Sequence, residues 1–191
     1  MSSPIASFAR FSLWLVVIGT LPALAIPAFG ITGARAAEVD CSSITMQFAG
    51  KGYAVDCESE TETYRTNSAN GGGQSEYLNA TADDESHFLL AIDIRATGAI
   101  YYTHQSLYNR TKDYFADIGI ADWRHGTDFA DFEIGEFNGA VRAHPSRCLA
   151  FQRTVNPVPN GYRRVVFGIG CSLRDLGQVY DALKQLDAPG D

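Results

Sequence analysis

Residues 168–172, with the sequence GIGCS, combine residue types that could do chemistry. A Gly-x-Gly turn between a strand and a helix can approach a phosphate closely, and a nearby cysteine can act as a nucleophile. A dinucleotide-binding turn needs a third glycine at position 173, where this chain has Leu173. The Cys-x-x-Cys spacing of a thioredoxin-like redox enzyme is also absent from the sequence. The segment therefore favours a structural role.

Metal-binding patterns are weak in this sequence. The histidines are far apart, and none lies in a recognised zinc-binding spacing; they are His87, His104, His125 and His144. Four carboxylates at Asp128, Asp131, Glu133 and Glu136 could hold calcium outside the cell, but the EF-hand spacing is missing. A solvated acidic surface is the favoured interpretation, and we predict no metal and no cofactor.

A hydrolase has little local support. The sequence contains no Gly-x-Ser-x-Gly nucleophile elbow, and its acidic residues are too numerous to single out a glycosidase pair. An enzyme would therefore depend on side chains that only the fold brings together. Two of a dispersed set would have to lie within hydrogen-bond reach in a pocket; the set is His104, His125, His144, Asp93 and Asp128.

Residues 101–125 interleave aromatic rings with histidines and arginines. Rings with polar tips beside planar hydrogen-bond donors are enriched at ligand and protein interfaces. The pleat of a strand would turn some of these rings into the core, so packing is the alternative role. The residues expected to form a binding surface are Tyr101, Tyr102, His104, Trp123, Arg124 and His125.

Residues 1–36 have the order of a secretory signal peptide. Arg10 precedes a nearly uncharged apolar run, and residues 34–36 match the A-x-A cleavage pattern. An uncleaved anchor is the alternative, because the run approaches the ~20 residues that span a bilayer. Two prolines in the run favour cleavage. We predict a soluble exported protein, periplasmic or secreted, with no stable membrane insertion once the signal is removed.

Residues 37–191 suit a single domain with its own core. The formal net charge of the 191-residue chain is −7, and it becomes more negative when the arginines of the signal are removed. A nucleic-acid-binding protein needs a basic surface to neutralise phosphates, so nucleic acid is excluded as a partner. The same acidity argues against docking on an anionic membrane.

Four cysteines in the predicted mature chain fit an oxidising compartment. They allow three pairings, and sequence alone does not choose among them. Spacing favours Cys41 with Cys57 and Cys148 with Cys171. Each bond would close a loop and stabilise the fold by ~3 kcal/mol on the chain-entropy model.

A hairpin that turns within residues 156–161, NPVPNG, supports the second pairing. Its register places Cys148 directly opposite Cys171. The same register sets large side chains over strand glycines, which compensates for glycine in a sheet; the pairs are Leu149 with Gly170 and Phe151 with Gly168.

Period-two patterns predict several strands, over residues 53–57, 87–94, 132–144, 146–155 and 162–171. Residues 99–108 are expected to return antiparallel to 87–94 after a turn at residues 97–98. The glycine- and serine-rich residues 66–86 are expected to form a flexible loop.

Residues 111–123 predict one or two helical turns opened by Thr111. A C-terminal helix is expected to open at Ser172, with Asp175 completing a capping box. It carries an apolar stripe that must bury against a sheet, made of Leu173, Leu176, Val179, Tyr180, Leu183 and Leu186. The predicted class is α+β, a single small domain whose meandering antiparallel sheet packs the C-terminal helix on one face, with two disulfides.

The leading hypothesis is a binding or interaction module of the cell envelope or the extracellular space. Its partner would be an envelope or extracellular protein or a small ligand. One alternative is a small extracytoplasmic hydrolase with dispersed Asp, Glu and His residues. The other is a structural envelope protein without a ligand. The missing catalytic motifs favour a protein that is not an enzyme.

Overall fold

The computed structural model describes residues 36–65, 70–141 and 143–189. All of them belong to one compact unit, Gly33–Asp191. The predicted signal peptide lies outside the described residues except for Ala36, so it remains a prediction. In the described part of the chain, no helix is both long and apolar enough to cross a membrane.

The strands, in chain order, are β1 (Ala37–Glu38), β2 (Gln47–Phe48), β3 (Tyr53–Arg65), β4 (Asn70–Ala82), β5 (His87–Gly98), β6 (Tyr102–Thr103), β7 (Ala121–His125), β8 (Glu133–Val141), β9 (His144–Val158), β10 (Gly161–Ser172) and β11 (Leu186–Asp187). The helices are α1 (Leu107–Tyr114) and α2 (Gly177–Lys184). Two short 3-10 turns cover Cys41–Ser43 and Ala116–Ile118.

One antiparallel sheet runs in the order β1-β3-β4-β5-β10-β9-β8-β7, and β6 also pairs with β10. Strands β2 and β11 form a separate two-stranded ladder. The meander is interrupted once, because β10 rather than β6 lies beside β5. The chain between β5 and β8 therefore leaves the centre of the sheet, supplies α1, and returns as the edge strand β7.

Alternation along the strands divides the core into two clusters. On β5, Leu89 and Ala91 belong to one cluster with α2, whereas Ile92 and Ile94 belong to the other with α1. We call these two sides of the sheet the α2 face and the α1 face. The predicted α+β class is confirmed only in part, because the molecule is mostly antiparallel sheet and carries two helices.

The predicted hairpin at GIGCS is confirmed. In the ladder of β9 and β10, Cys148 lies opposite Cys171, and the two are bonded. The predicted glycine pairs, Gly170 with Leu149 and Gly168 with Phe151, are also present. The other disulfide joins Cys41 to Cys57, so no described cysteine is free.

Gly170 has a second reason to be glycine. A β-carbon at this position would collide with Val179 Cγ1 of α2. The missing side chain therefore lets the helix close directly onto the strand. What resembled a phosphate-binding turn is a disulfide-bonded strand with a helix packed over it.

The prediction that residues 99–108 pair with β5 is wrong. Both edges of β5 are occupied, one by β4 and the other by β10. Only Tyr102–Thr103 forms a strand in this segment, and it pairs with β10. The segment then continues into α1. The side chain of Ser106 accepts a hydrogen bond from the Asn109 amide and caps this helix.

The two helix starts differ from the predictions. Helix α1 begins at Leu107, and Thr111 lies inside it, where Oγ1 donates to the Leu107 carbonyl oxygen. Ser172 is the last residue of β10, and helix α2 begins only at Gly177. Asp175 instead accepts a hydrogen bond from the Gly177 amide.

Leu173, which was predicted to lie on the buried stripe of the C-terminal helix, is 52% exposed. It precedes α2 rather than lying within it. The helical spacing that places the rest of the stripe against the sheet therefore does not apply to Leu173.

The prediction of a flexible loop over residues 66–86 is wrong for residues 70–82, which form β4. This strand pairs with β3 on one side and β5 on the other. Ladders on both edges outweigh the low strand preference of its glycines. Residues 66–69 lie outside the described residues.

Candidate functional site

Exposed rings are concentrated in the segment that contains α1. In the described part of the chain, the exposed large apolar side chains are Tyr101, Tyr108, Tyr114 and Leu173. The three tyrosines all come from residues 101–114, and Leu173 precedes α2. This segment was singled out from the sequence, although Tyr108 and Tyr114 were not among the residues assigned to the binding surface.

A cluster of rings connects α1 to the edge of the sheet. Trp123 of β7 contacts Tyr108 of α1 edge to face, with ring centroids 5.2 Å apart. It stacks on Phe137 of β8 at 5.7 Å and lies 6.1 Å from the His125 ring. We call these four residues the Trp123 cluster; Tyr108 and His125 are its exposed members.

Gly135 makes the position of Trp123 possible. A β-carbon on this residue of β8 would collide with the indole ring that lies across it. The indole Nε1 is buried and has no hydrogen-bond partner in the part of the chain that the structure describes. The ring is therefore held by packing alone, at some cost for the unpaired N–H.

The predicted binding residues do not form one continuous cluster. Trp123 and His125 come together, but Arg124 pairs with Glu136 in the ladder and points to the other side of the strand. Tyr102 pairs with Tyr162 at the start of β10, and the His104 ring lies 5.6 Å from that tyrosine ring. Tyr101, which precedes Tyr102 in the chain, is 44% exposed.

A buried arginine lies beneath α1. Arg110 is only 3% exposed, and its Nε donates to Gln152 Oε1 at 3.0 Å. Its Nη2 donates to the hydroxyl of Tyr162. The rings of Tyr162 and Phe167 lie 5.8 and 5.1 Å from its guanidinium carbon. The positive charge is therefore held by neutral polar groups and by aromatic faces.

Gln152 extends this contact to the end of the sheet. Its Nε2 donates to Glu133 Oε2 at 2.6 Å and to the Gln105 carbonyl oxygen at 3.4 Å. Both ends of the amide are thus engaged, and Glu133 is fixed in place. Glu133 in turn lines a depression, so a continuous polar path runs from α1 to that surface.

The depression has a volume of about 240 Å³. It is lined by residues with charged or polar side chains, namely Asp131, Glu133, Gln152, Arg153 and Thr154. We call it the Arg153 depression. The described residues contain no group of three or more His, Cys, Asp or Glu side chains that could hold a metal ion.

The contacts of Arg153 differ from those of Arg110. Its guanidinium carbon lies 5.1 Å from the centre of the Phe132 ring. Its Nε and Nη2 are buried and have no hydrogen-bond partner among the described residues. A guanidinium carries five N–H donors, so much of its bonding capacity is unused.

Sequence reasoning missed the roles of Arg110, Gln152 and Arg153. Arg110 could have been found, because it follows Leu107 by three residues and so lies on the inner stripe of a helix. Gln152 and Arg153 carried no such signal. Their importance depends on which residues of β8 and α1 lie beside β9, and that pairing is not local in sequence.

The residues that a hydrolase would need are not joined. Asp93 is fully buried and pairs with Arg164 at 2.8 Å, while His104 and His125 pack against Tyr162 and Trp123. Asp128 and His144 are exposed at other places. Within the described ranges, none of the hydrogen bonds links two residues of this set.

A second polar network lies on the α2 face. Arg164 donates from Nε and Nη2 to Asp93, and from Nη1 to the Pro189 carbonyl oxygen at 2.6 Å. Arg95 bridges Asp93 and Glu76, at 2.6 and 3.2 Å. Glu76 also accepts from the Thr45 amide at 2.7 Å. This network ties segments near both ends of the described chain to the sheet.

Four hydrogen-bonded side chains lie beside β3 and β5. Tyr53 donates to His87 Nε2 at 2.6 Å, His87 Nδ1 contacts Ser86 Oγ at 2.9 Å, and Ser86 donates to Asp84 at 2.6 Å. All three contacts are satisfied when neutral His87 carries its proton on Nδ1. Burial lowers the pKa of His87, which favours this neutral form. These hydrogen bonds connect Tyr53 of β3 to His87 of β5, and Ser86 among them is buried.

Comparison with family models, with curated proteins and with solved structures finds no match for this chain.

Proposed function

We propose that this chain is an exported protein that acts by binding another protein through the Trp123 cluster and the exposed tyrosines of residues 101–114. The observation that carries the proposal is the concentration of exposed large rings in this one segment. The signal-like residues 1–36 and the two disulfides support export to an oxidising compartment.

The geometry of the cluster suits an interface. Trp123 is fixed between Phe137, Gly135 and Tyr108, so it loses little conformational freedom when a partner binds. Tyrosine and tryptophan are the residues most often found at energetic centres of interfaces. The exposed hydroxyl end of Tyr108 adds a polar contact to an apolar ring.

A protein partner fits these rings better than a small ligand. Small molecules bind in concave sites that cover most of their surface. The Arg153 depression is lined by polar residues, and none of the rings of the Trp123 cluster contributes to it. The cluster therefore presents aromatic surface outside that concavity.

The test is capture of partners from the native envelope extract with the tagged, oxidised protein. Tyr108→Ser and Trp123→Ala are expected to lose the captured partner, whereas Trp123→Phe keeps an aromatic ring and retains it in part. Leu173→Ser is the matched control, because it removes a side chain that is more exposed than Tyr108 and precedes α2.

Thermal unfolding of each variant separates loss of binding from loss of the fold. A folded Tyr108→Ser variant that captures the same partner as the wild type would contradict the proposal. Equal capture by the Trp123→Ala and Leu173→Ser variants would count against the Trp123 cluster as the interface.

A further inference from the structure

The α1 face of the sheet is covered by a helix over only part of its width. Helix α1 packs on β8 and β9, whereas α2 packs on the opposite face. The ring of Tyr114, the last residue of α1, lies edge to face on Phe167 of β10, with ring centroids 4.6 Å apart. In the described part of the chain, neither helix therefore extends over β3 and β4 on this side, and β5 lies at the border.

One row of side chains across the strands runs from the covered part to the open part. Phe167 lies opposite Ile92 of β5, and both residues are buried. Ile92 lies opposite Tyr77 of β4, which is only partly buried and lies opposite Glu58 of β3. Because Tyr77 belongs to the hydrophobic cluster of the α1 face, the register places Glu58 on that face too. The row thus passes from an apolar centre to a charged edge.

The next row along the strands repeats this pattern. Leu90 of β5 lies opposite Asn79 of β4, and Asn79 lies opposite Asp56 of β3. Leu90 is partly buried, whereas Asp56 is exposed. We call the open part of these two rows the β3–β5 surface; its residues are Asp56, Glu58, Tyr77, Asn79 and Leu90.

Strand β3 gives this surface a negative border. Asp56, Glu58 and Glu60 alternate along the strand, so their side chains leave one face with β-carbons about 7 Å apart. No salt bridge in the described part of the chain includes Asp56 or Glu58. Apolar side chains beside a row of unpaired carboxylates match a partner that is apolar on one side and positively charged beside it.

We propose that the β3–β5 surface binds a cationic amphipathic helix of a partner protein. The apolar side of that helix packs on Tyr77 and Leu90, and its Lys or Arg side chains lie over Asp56 and Glu58. Three strand spacings separate β3 from β10, which is about 14 Å, and a helix with its side chains is about 10–12 Å wide. One helix therefore fits between Tyr114 and the acidic border.

Charge argues against two other occupants. A second copy of this chain carries the same formal net charge of −7, and an anionic membrane carries phosphate groups, so the carboxylates of β3 would repel both. The surface also differs from the interface proposed above. Strand β3 lies near one edge of the sheet, whereas β7, which carries Trp123, forms the other edge. The β3–β5 surface shares no residue with the Trp123 cluster.

The direct test is fluorescence anisotropy of a labelled synthetic peptide with the full oxidised protein. The peptide has about 18 residues, with leucines at helical spacing on one side and lysines on the other. A control peptide has the same composition in strict alternation, which suits a strand. We expect the helical peptide to bind at least about tenfold more tightly, and salt to weaken its binding. Equal binding of both peptides, or no binding of the helical one, would overturn the proposal.

A double variant, Asp56→Asn with Glu58→Gln, tests the acidic border without removing apolar packing. We expect it to weaken binding by about 3- to 10-fold, because two partners for cations are lost. Asp128→Asn with Asp131→Asn is the matched control, since it removes two exposed carboxylates elsewhere and should change the affinity less than about twofold. Asparagine tolerates the positive φ of Asp131. Equal losses in the two double variants would mean attraction by net charge alone and would overturn the assignment.

Tyr77→Thr tests the apolar part of the surface and is expected to weaken binding by about tenfold. Threonine suits a strand, and thermal unfolding checks the fold; if this variant does not fold, the charge variants decide. Amide NMR locates the peptide, with shifts expected at Glu58, Tyr77 and Leu90. Shifts confined to the Trp123 cluster would overturn this proposal and leave the proposed interface at that cluster intact.

Discussion

Arg164 on the α2 face and Arg110 on the α1 face are buried to the same degree, with 2% and 3% of their surface exposed. Arg164 lies against the fully buried carboxylate of Asp93. Arg110 donates to a glutamine and a tyrosine and lies between aromatic faces. One charge is neutralised by direct pairing, and the other is held without a carboxylate contact among the described residues.

The two networks also reach different parts of the molecule. The Asp93 network reaches Thr45 and Pro189 through backbone contacts, so it holds distant segments of the chain against the sheet. The Arg110 contact leads through Gln152 to Glu133, which lines the Arg153 depression. The polar groups on the α2 face close the fold, whereas those on the α1 face connect α1 through β9 to the start of β8.

The largest expected effect is that of Asp93→Asn. The amide keeps the shape of the side chain but leaves Arg164 and Arg95 without the charge that they share. Breaking a buried ion pair on one side costs about 3–5 kcal/mol. Urea unfolding should show this loss in the free energy of unfolding. A loss below about 1 kcal/mol would contradict the comparison, because exposed ion pairs show losses of that size.

Arg110→Met is expected to cost less, about 1–3 kcal/mol, because the groups that it leaves unpaired, Gln152 and Tyr162, are neutral. The same urea unfolding experiment measures it. We expect Asp93→Asn to lower the free energy of unfolding more than Arg110→Met does. If Arg110→Met proved more costly than Asp93→Asn, the α1 face would be the more important for stability.

Acid is expected to destabilise the α2 side through His87, which packs with Tyr53. Burial holds the pKa of His87 below its ordinary value of 6.5, so the unfolded chain binds the proton more readily than the folded one. The contribution of His87 is therefore complete above pH 6.5 and is lost as the pH falls. Between about pH 8 and pH 5, the free energy of unfolding should change less with pH for His87→Gln than for the wild type. Equal slopes would exclude this contribution.

Alkali also acts on the α2 face, through Tyr180 of α2. Burial and a hydrogen bond to Glu136 raise the pKa of Tyr180 to about 12, from an ordinary value of 10.0. Tyr180 therefore stabilises the fold below pH 10, and this contribution is lost as the pH rises towards 12. Tyr180→Phe should remove that part of the pH dependence in thermal unfolding. A variant with the wild-type alkaline slope would contradict it.

The parts of the fold that sequence reasoning predicted are those defined by nearby residues. The Cys148–Cys171 pair follows from one turn and a fixed register, and the strand glycines agree with it. The failures concern segments whose partner is distant. Residues 99–108 carry a strand pattern, but β10 occupies the edge of β5 that they were expected to join.

The candidate site was predicted only in part for the same reason. Aromatic composition indicated residues 101–125, and the exposed tyrosines lie within that segment. Residues 111–123 were expected to be partly helical, whereas Trp123 and Arg124 belong to the strand β7. Their side chains therefore point to opposite sides of that strand. The Arg153 depression depends on β8, β9 and the turn at Asp131 together, which no local pattern in the sequence describes.

The small ladder of β2 and β11 has a consequence for the order in which this chain folds. Phe48 pairs with Leu186, and the central strand β5 pairs along its length with β10. Strands β2 and β5 therefore pair with strands that are synthesised much later, and closing such long loops is slow. These two ladders can close only after residues 161–187 have been synthesised.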